Sequence, residues 1–397
     1  MNSPYLTEHA YDLIFVMLQN LAVGTGQNKM HSARAPGIAR ESQLQREAAE
    51  WNPPTNADDI ALAAEEDIPV IDVGEYLEAK APGEAPEKPL LSSARRDLAA
   101  ALRDAGERTG FCYIKSFHSI LSPSTLEDAF DATKKFHSLP EAEKMKYEMD
   151  NLGPEHGGLT GVGYLRERNK KLPARDKVNF NSCFVLKREL GPRNVSLDLM
   201  PWPESYRNSA DCCVEFDGSQ FRSTVIKTAL ALEQLSLALV PAYAEALLLP
   251  ADYFVPSFES PLFRMRLTRY APTPADEFGI NPHVDTSFFT LLATTDHSGL
   301  VVFSPRKGRW VRARHVEGAL IVNTGETLAR ITNDTWPATR HYVLHARHGR
   351  DRYSLPFFFN PTASARMAVV PTCVRDGQQP KYDPISYLEG QGVVQGE

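Results

Sequence analysis

The triplet His283-Val284-Asp285, a later His341, and then Arg352-Tyr353-Ser354 constrain this chain more than any other feature in it. Two imidazoles and one carboxylate can occupy one face of an octahedral metal and leave the opposite face open, which suits non-haem Fe(II). The two parts of this donor set are separated by more than fifty residues. The fold must therefore bring non-adjacent segments side by side. Arg352 and Ser354, two residues apart, share a strand face and offer a forked cation and a hydroxyl to a carboxylate.

The intervening sequence predicts how the segments meet. Residues 287–292 are rich in aromatic, β-branched and apolar types, as are 299–303, 310–311 and 318–323, and turn residues such as Pro305, Gly308 and Gly318 punctuate them. Antiparallel strands of this kind roll into a jelly roll with a pocket between two sheets. The expected fold class is mainly β with flanking helices, built on a double-stranded β-helix core. His283 and Asp285, on or at the end of a strand, then point to the same side.

The quoted segments resemble the 2-oxoglutarate/Fe(II)-dependent dioxygenases of the isopenicillin-N-synthase-like superfamily. The matching text includes Arg266 to Pro272, Pro282 to Thr286, Gly318 to Glu326, Thr332 to Asp334, Arg340 to Val343 and Arg352 to Pro361. An N-terminal region similar to that family's covers Ile68 to Asp72, Gly110 to Ile114 and the Leu139-Pro140 segment. The family usually carries Asn where Thr268 stands and Gly where Ser287 stands, so pocket shape departs more than metal binding. The resemblance implies Fe(II) on His283, Asp285 and His341, with 2-oxoglutarate and O2 as cosubstrates. Arg352, Ser354 and Tyr270 would receive the far carboxylate. It also implies a substrate wall drawn from Tyr164, Phe180, Asn181 and Phe289, with Arg264 or Arg166 meeting a substrate acid. Beyond the metal ligands no separate catalytic residue is expected. The implied activity is oxidation, most simply hydroxylation, of a small molecule of specialised metabolism. The alternatives are an oxidative cyclase or desaturase like isopenicillin N synthase, acting with or without 2-oxoglutarate, and a non-catalytic ligand-binding jelly roll.

Composition narrows the partners. A net charge of −7 without a long basic cluster argues against a nucleic-acid or anionic-membrane binder. The five cysteines show no paired spacing and read as reduced thiols of a cytoplasmic protein. Leu13 to Leu18 is too short to span a bilayer and follows Glu8 and Asp12 rather than basic residues. Val225 to Leu249 reads as a buried helix, bent or ended at Pro241. A monomer or homodimer acting on a small molecule is expected.

The expected organisation is an extension and linker over 1–66, an N-terminal region over 67–200 and a helical connection over 201–254. The metal domain follows over 255–372, with a C-terminal segment over 373–397. Residues 1–24 suit an amphipathic helix. Ser92 or Ser93 should cap a helix that Gly110 ends, and Ser122-Pro123 should open a second one.

Overall fold

A computed structural model describes residues 53–78, 89–152, 161–170, 178–188, 197–207, 215–272, 277–295, 299–344 and 349–390. All of them lie in a compact unit spanning residues 46–397. The expected helix over 1–24 lies outside the described residues.

Four strands precede the core: β1 (Val70–Asp72), β2 (Phe111–Lys115), β3 (Gly163–Leu165) and β4 (Ser182–Arg188). A two-residue hairpin, β5 (Tyr206–Arg207) and β6 (Glu215–Phe216), stands apart. The core strands are β7 (Leu262–Tyr270), β8 (Phe278–His283), β9 (Phe289–Thr294), β10 (Leu300–Ser304), β11 (Arg309–Arg312), β12 (Leu320–Thr324), β13 (His341–Leu344) and β14 (Arg352–Asn360). They form two sheets. The larger runs β1-β2-β12-β9-β14-β7-β4-β3, and the smaller runs β11-β10-β13-β8. Interleaving of sequence-distant strands in both sheets is the jelly roll that the turn-punctuated sequence predicts.

The two faces of the large sheet separate by alternation. Phe263, Met265 and Leu267 of β7, with Leu355, Phe357 and Phe359 of β14, face the helices and join one apolar cluster. Arg264, Arg266, Thr268 and Tyr270 therefore face the small sheet, as do Arg352, Ser354 and Phe358. Ile280, Leu300, Val302, Ile321 and Val343 fill part of the space between the sheets, and the polar residues keep the rest.

Three helices cover the outer face: α1 (Pro89–Arg108), α2 (Pro123–His137) and α3 (Gly218–Ala246). Helix α1 starts at a proline upstream of the expected serine caps, since proline suits the first helical turn. Gly110, at φ 65°, follows its end as expected. The Ser122 hydroxyl accepts the Thr125 amide at 3.2 Å and caps α2. Helix α3 passes through Pro241 and ends at Ala246, so Pro241 does not end it. By length and composition α3 could cross a membrane. Its Phe221, Val225, Leu232, Leu235 and Leu239 are instead buried in the core, which accounts for the apolar run.

The stretch before residue 66 also departs from expectation. Ala57 and Ile60 are buried against Phe278, Val301, Phe303 and Trp310 on the outer face of the small sheet. The Tyr342 hydroxyl donates to the Pro54 carbonyl, and Leu62 bridges to Arg312. The described part of the presumed linker thus covers a sheet face. Its signal was a short apolar spacing at 57, 60 and 63, hidden among Ala, Asp and Glu.

Beneath the large sheet, His137 is fully buried. Its Nε2 donates to the Leu267 carbonyl at 3.0 Å and its Nδ1 accepts from the Ser182 hydroxyl at 3.2 Å. Burial lowers its pKa to about 3. The unfolded chain then binds a proton that the folded chain refuses. This contribution is complete above about pH 6.5 and is lost progressively towards pH 3, at roughly 1.4 kcal/mol per pH unit. Urea unfolding of His137→Gln at pH 7.5 and pH 5 should show a smaller acid loss than wild type; an equal loss would assign the acid limb to other groups.

Candidate metal centre

His283 is the last residue of β8 and His341 the first of β13, and the two stand directly opposite in the antiparallel pair. Their ring centroids are 4.4 Å apart. The Nδ1 of each ring faces the backbone carbonyl two residues upstream, Asn281 at 2.8 Å and Thr339 at 3.0 Å. Donation to those carbonyls fixes the tautomer and leaves each Nε2 lone pair for a metal. Asp285 lies just past β8. Its Oδ1 is 3.6 Å from the Nε2 of both histidines. Its Oδ2 accepts from the Thr290 hydroxyl at 2.7 Å and the Asn323 amide at 2.9 Å. One carboxylate oxygen is thus held back by the protein and the other is aimed at the histidines. The three donor atoms lie within 4.8 Å of one another.

The electrostatics call for a cation there. Burial works to raise the Asp285 carboxyl, but His341 and His283 beside it hold it well below its usual range. Burial and the neighbouring His341 lower His283. Burial opposes charge on His341 too, yet the Asp285 carboxylate raises it. The buried carboxylate and the two imidazoles thus favour positive charge between them, which a divalent ion supplies when it binds. The donor set fits Fe(II), with two neutral nitrogens, one anionic oxygen and an open side.

The residues that support the metal ligands carry no motif in the sequence. Asn323 is one of them, since its amide holds the Asp285 carboxylate. Asn281 donates through backbone and side chain to the Asn179 Oδ1, at 2.9 and 2.6 Å, and Asn179 donates in turn to Asn169. This buried run clamps the end of β8 that carries His283. The available signal was the recurrence of asparagine at 169, 179, 181 and 281. Thr290→Val keeps the shape and removes the donor. It should weaken Fe(II) binding roughly 10- to 100-fold without changing the fold, as read by anaerobic titration; unchanged affinity would show that Asn323 alone orients the carboxylate.

Further along the large sheet stands a second polar group. Arg352 pairs across strands with Tyr270, and Ser354 with Thr268. The Tyr270 and Ser354 hydroxyls are 3.3 Å apart. The Arg352 guanidinium lies 4.7 Å from the Tyr270 ring centroid and is buried, which lowers its pKa against the effect of Tyr270. The Thr268 hydroxyl is buried without a hydrogen-bond partner. A buried guanidinium, two hydroxyls and an unused third one fit a carboxylate ligand. The three residues expected to receive it stand together.

The expected substrate wall is largely corrected. Phe289 was expected on the metal side, four residues past Asp285. The bend at Ser287 and Phe288 breaks the alternation, so Thr290 faces the site and Phe289 the helices. Phe289 stacks on Tyr243 with centroids 4.9 Å apart. Phe289→Ala should therefore destabilise the fold by about 3–5 kcal/mol and leave the ratio of succinate to oxidised substrate unchanged; altered coupling at unchanged stability would return it to the pocket. Tyr164 also faces the helices, with its ring beside Phe136 and its hydroxyl on Glu141. Asn181 donates to the Gly279 carbonyl at 2.7 Å and belongs to the β8 clamp. Phe180 is hydrogen-bonded through its backbone to Phe278, at the end of β8 away from His283, and its ring lies under Arg168. Arg166 pairs with Glu148 on the surface. Of the suggested wall, Arg264 alone faces the space between the sheets. His345, four residues past His341 in the sequence, lies outside the described residues.

Two family models match the chain. The 2OG-Fe(II) oxygenase superfamily matches residues 261–361, and the N-terminal region of non-haem dioxygenases in morphine synthesis matches 68–205. A 2-oxoglutarate-Fe(II) type oxidoreductase of Emericella nidulans is 29% identical over 308 residues, covering 74% of this chain and 82% of the relative. A bi-functional coumaroyl CoA and feruloyl CoA ortho-hydroxylase of Ipomoea batatas is 28% identical over 331 residues, covering 83% and 80%. The fold is shared with full-length Neurospora crassa T7H in complex with alpha-KG and thymine, at TM-score 0.66, 23% identity and coverage of 84% and 99%. It is also shared with JOX2 in complex with 2OG, Fe and JA, at TM-score 0.63, 20% identity and coverage of 88% and 90%.

Proposed function

Because the chain belongs to the 2-oxoglutarate/Fe(II)-dependent dioxygenases of the isopenicillin-N-synthase-like superfamily, we propose that it hydroxylates a small molecule of specialised metabolism. Its cofactors are Fe(II), 2-oxoglutarate and O2. The observation that carries the reading is the juxtaposition of two sites on facing sheets: the His283, Asp285 and His341 donors, and the Arg352, Ser354 and Tyr270 carboxylate receptor. The relatives support the same class, since one is named as an ortho-hydroxylase and another fold neighbour holds thymine.

When bound, iron and 2-oxoglutarate supply O2 activation, release of succinate and CO2, and oxidation of a C–H bond. The chain supplies the geometry. His283, Asp285 and His341 would hold the metal from one side. Thr290 and Asn323 keep the second Asp285 oxygen occupied, so one oxygen is presented and the metal's remaining positions stay available. Arg352 and Ser354 would orient 2-oxoglutarate from its far end, with Tyr270 stacked under the guanidinium. The apolar side chains between the sheets exclude water from the same space.

Anaerobic addition of 2-oxoglutarate to the Fe(II)-loaded protein should produce a weak visible metal-to-ligand band. Under air, succinate release should follow in the presence of an accepted substrate. Substrate oxidation without 2-oxoglutarate would favour the oxidase reading instead. Absence of both the band and any oxidation would leave a binding jelly roll.

A further inference from the structure

The interior face of the large sheet carries an arginine that neither the metal nor the 2-oxoglutarate receptor uses. Cross-strand register sets one row running Asn323, Thr290, Phe358, Arg264 and Lys187 across β12, β9, β14, β7 and β4. The first two members hold the Asp285 carboxylate. The third, Phe358, is half-buried, and the Arg266 guanidinium lies 5.4 Å from its ring centroid. Adjacent strands are spaced about 4.8 Å apart. The Arg266 charge therefore sits over the strand next to the residue that orients the metal-binding carboxylate. Its Nε is buried without a hydrogen-bond partner. Arg264 and Lys187 have partners of their own, and among the described residues no carboxylate forms a salt bridge with Arg266.

We propose that Arg266 is the specificity-determining residue of this site and that the substrate carries a carboxylate. This rests on the 2-oxoglutarate-dependent reading above. A partly desolvated guanidinium without a counter-ion is costly in the empty protein and favourable once an anion arrives. Its planar fork matches the two oxygens of a carboxylate, and Phe358 beneath it fixes the plane. The other arginine, Arg352, lies six residues before Phe358 on the partner strand, so the two cations divide the work. Arg352 takes the cosubstrate acid and Arg266 the substrate acid, on one face of the sheet. A neutral isostere leaves Arg266 unpaired and is discriminated against for that reason.

The test uses matched pairs of small organic acids and their primary amides, including phenylacetate with phenylacetamide. They are presented to protein loaded anaerobically with Fe(II) and 2-oxoglutarate. Binding is read by calorimetry and by perturbation of the visible band, and succinate release is then measured under air. Wild type should prefer the acid members of the panel. Arg266→Gln and Arg266→Met should lose that preference by roughly 10- to 100-fold, while the band formed by 2-oxoglutarate persists. Arg266→Met retains the packing on Phe358, so its thermal midpoint reports whether the fold survives. No preference for acids in wild type, or the same preference in folded Arg266 variants, overturns the proposal. Failure of the band to form in wild type would instead remove the reading on which it rests.

Discussion

Replacing Asp285 with alanine is expected to abolish iron retention and turnover while the protein stays folded. Asp285 supplies the one anionic donor of the three, and its Oδ1 stands 3.6 Å from each Nε2. Two neutral imidazoles alone hold a ferrous ion weakly, because Fe(II) lies near the low-affinity end of the divalent series. The substitution also leaves the Thr290 hydroxyl and the Asn323 amide without their acceptor, at about 1–3 kcal/mol for each group that finds no water. Asp285→Asn separates the two effects. It preserves the side-chain volume but loses the charge, so it should also lose iron while unfolding closer to wild type. Iron content after gel filtration, thermal midpoint and succinate release answer the three questions together. His283→Ala and His341→Ala should abolish turnover in the same way, with less disturbance of the buried polar network. Near-normal iron in His341→Ala would reassign that ligand, with His345 the first alternative.

The difference between these variants shows what a linear sequence makes visible. A metal ligand announces itself by residue type and spacing, and the pairing of β8 with β13 only had to bring His283 opposite His341. Strand periodicity was equally legible, because turn residues mark each end and the apolar alternation of β7 and β14 survives without interruption. The facing of single side chains was less so. One bend at Ser287 inverted the assignment of Phe289 and concealed Thr290, since a single inserted residue turns every following side chain to the other face. In the edge strand β3 the facing of Tyr164 was equally hard to read, although its register with β4 is unbroken. Its segment was identified, but Gly163 and Leu165 occupy one face and Tyr164 the other. Asparagine gave the weakest signal. Nothing in the sequence marks Asn179, Asn281 and Asn323 as supports, yet their amides form the buried support of the metal centre. Such residues become conspicuous only when their burial is known, because each buried amide must find partners. The Arg264 and Arg266 pair is intermediate: alternation placed both on the inner face, while their different roles depend on which neighbours β4 and β14 supply.

Arg352→Lys is expected to weaken 2-oxoglutarate binding by one to two decades and to leave Fe(II) binding nearly unchanged. The guanidinium is buried and lies 4.7 Å from the Tyr270 ring centroid. Its plane is therefore fixed before the ligand arrives, and a carboxylate can meet two parallel N–H donors. Lysine keeps the charge but replaces the fork with a compact ammonium that neither stacks nor binds two oxygens in one plane. Loss of one charge-assisted hydrogen bond in a buried site corresponds to roughly 1.5–3 kcal/mol. Iron binding should be spared because the His283, Asp285 and His341 donors share no hydrogen bond with Arg352. Tyr270→Phe provides a graded comparison. It removes the hydroxyl 3.3 Å from Ser354 but retains the ring under the guanidinium, so its effect should be smaller than that of the lysine variant. Titration of the visible band with 2-oxoglutarate measures both, and calorimetry of Fe(II) binding supplies the control. If turnover in Arg352→Lys kept the wild-type dependence on 2-oxoglutarate, the arginine would belong to the substrate rather than the cosubstrate. The oxidase reading would then explain the same motif better, because there the fork serves a substrate carboxylate. A parallel loss of iron and 2-oxoglutarate would point to general disruption of the site, and the milder Tyr270→Phe titration would then decide whether the receptor had been assigned correctly.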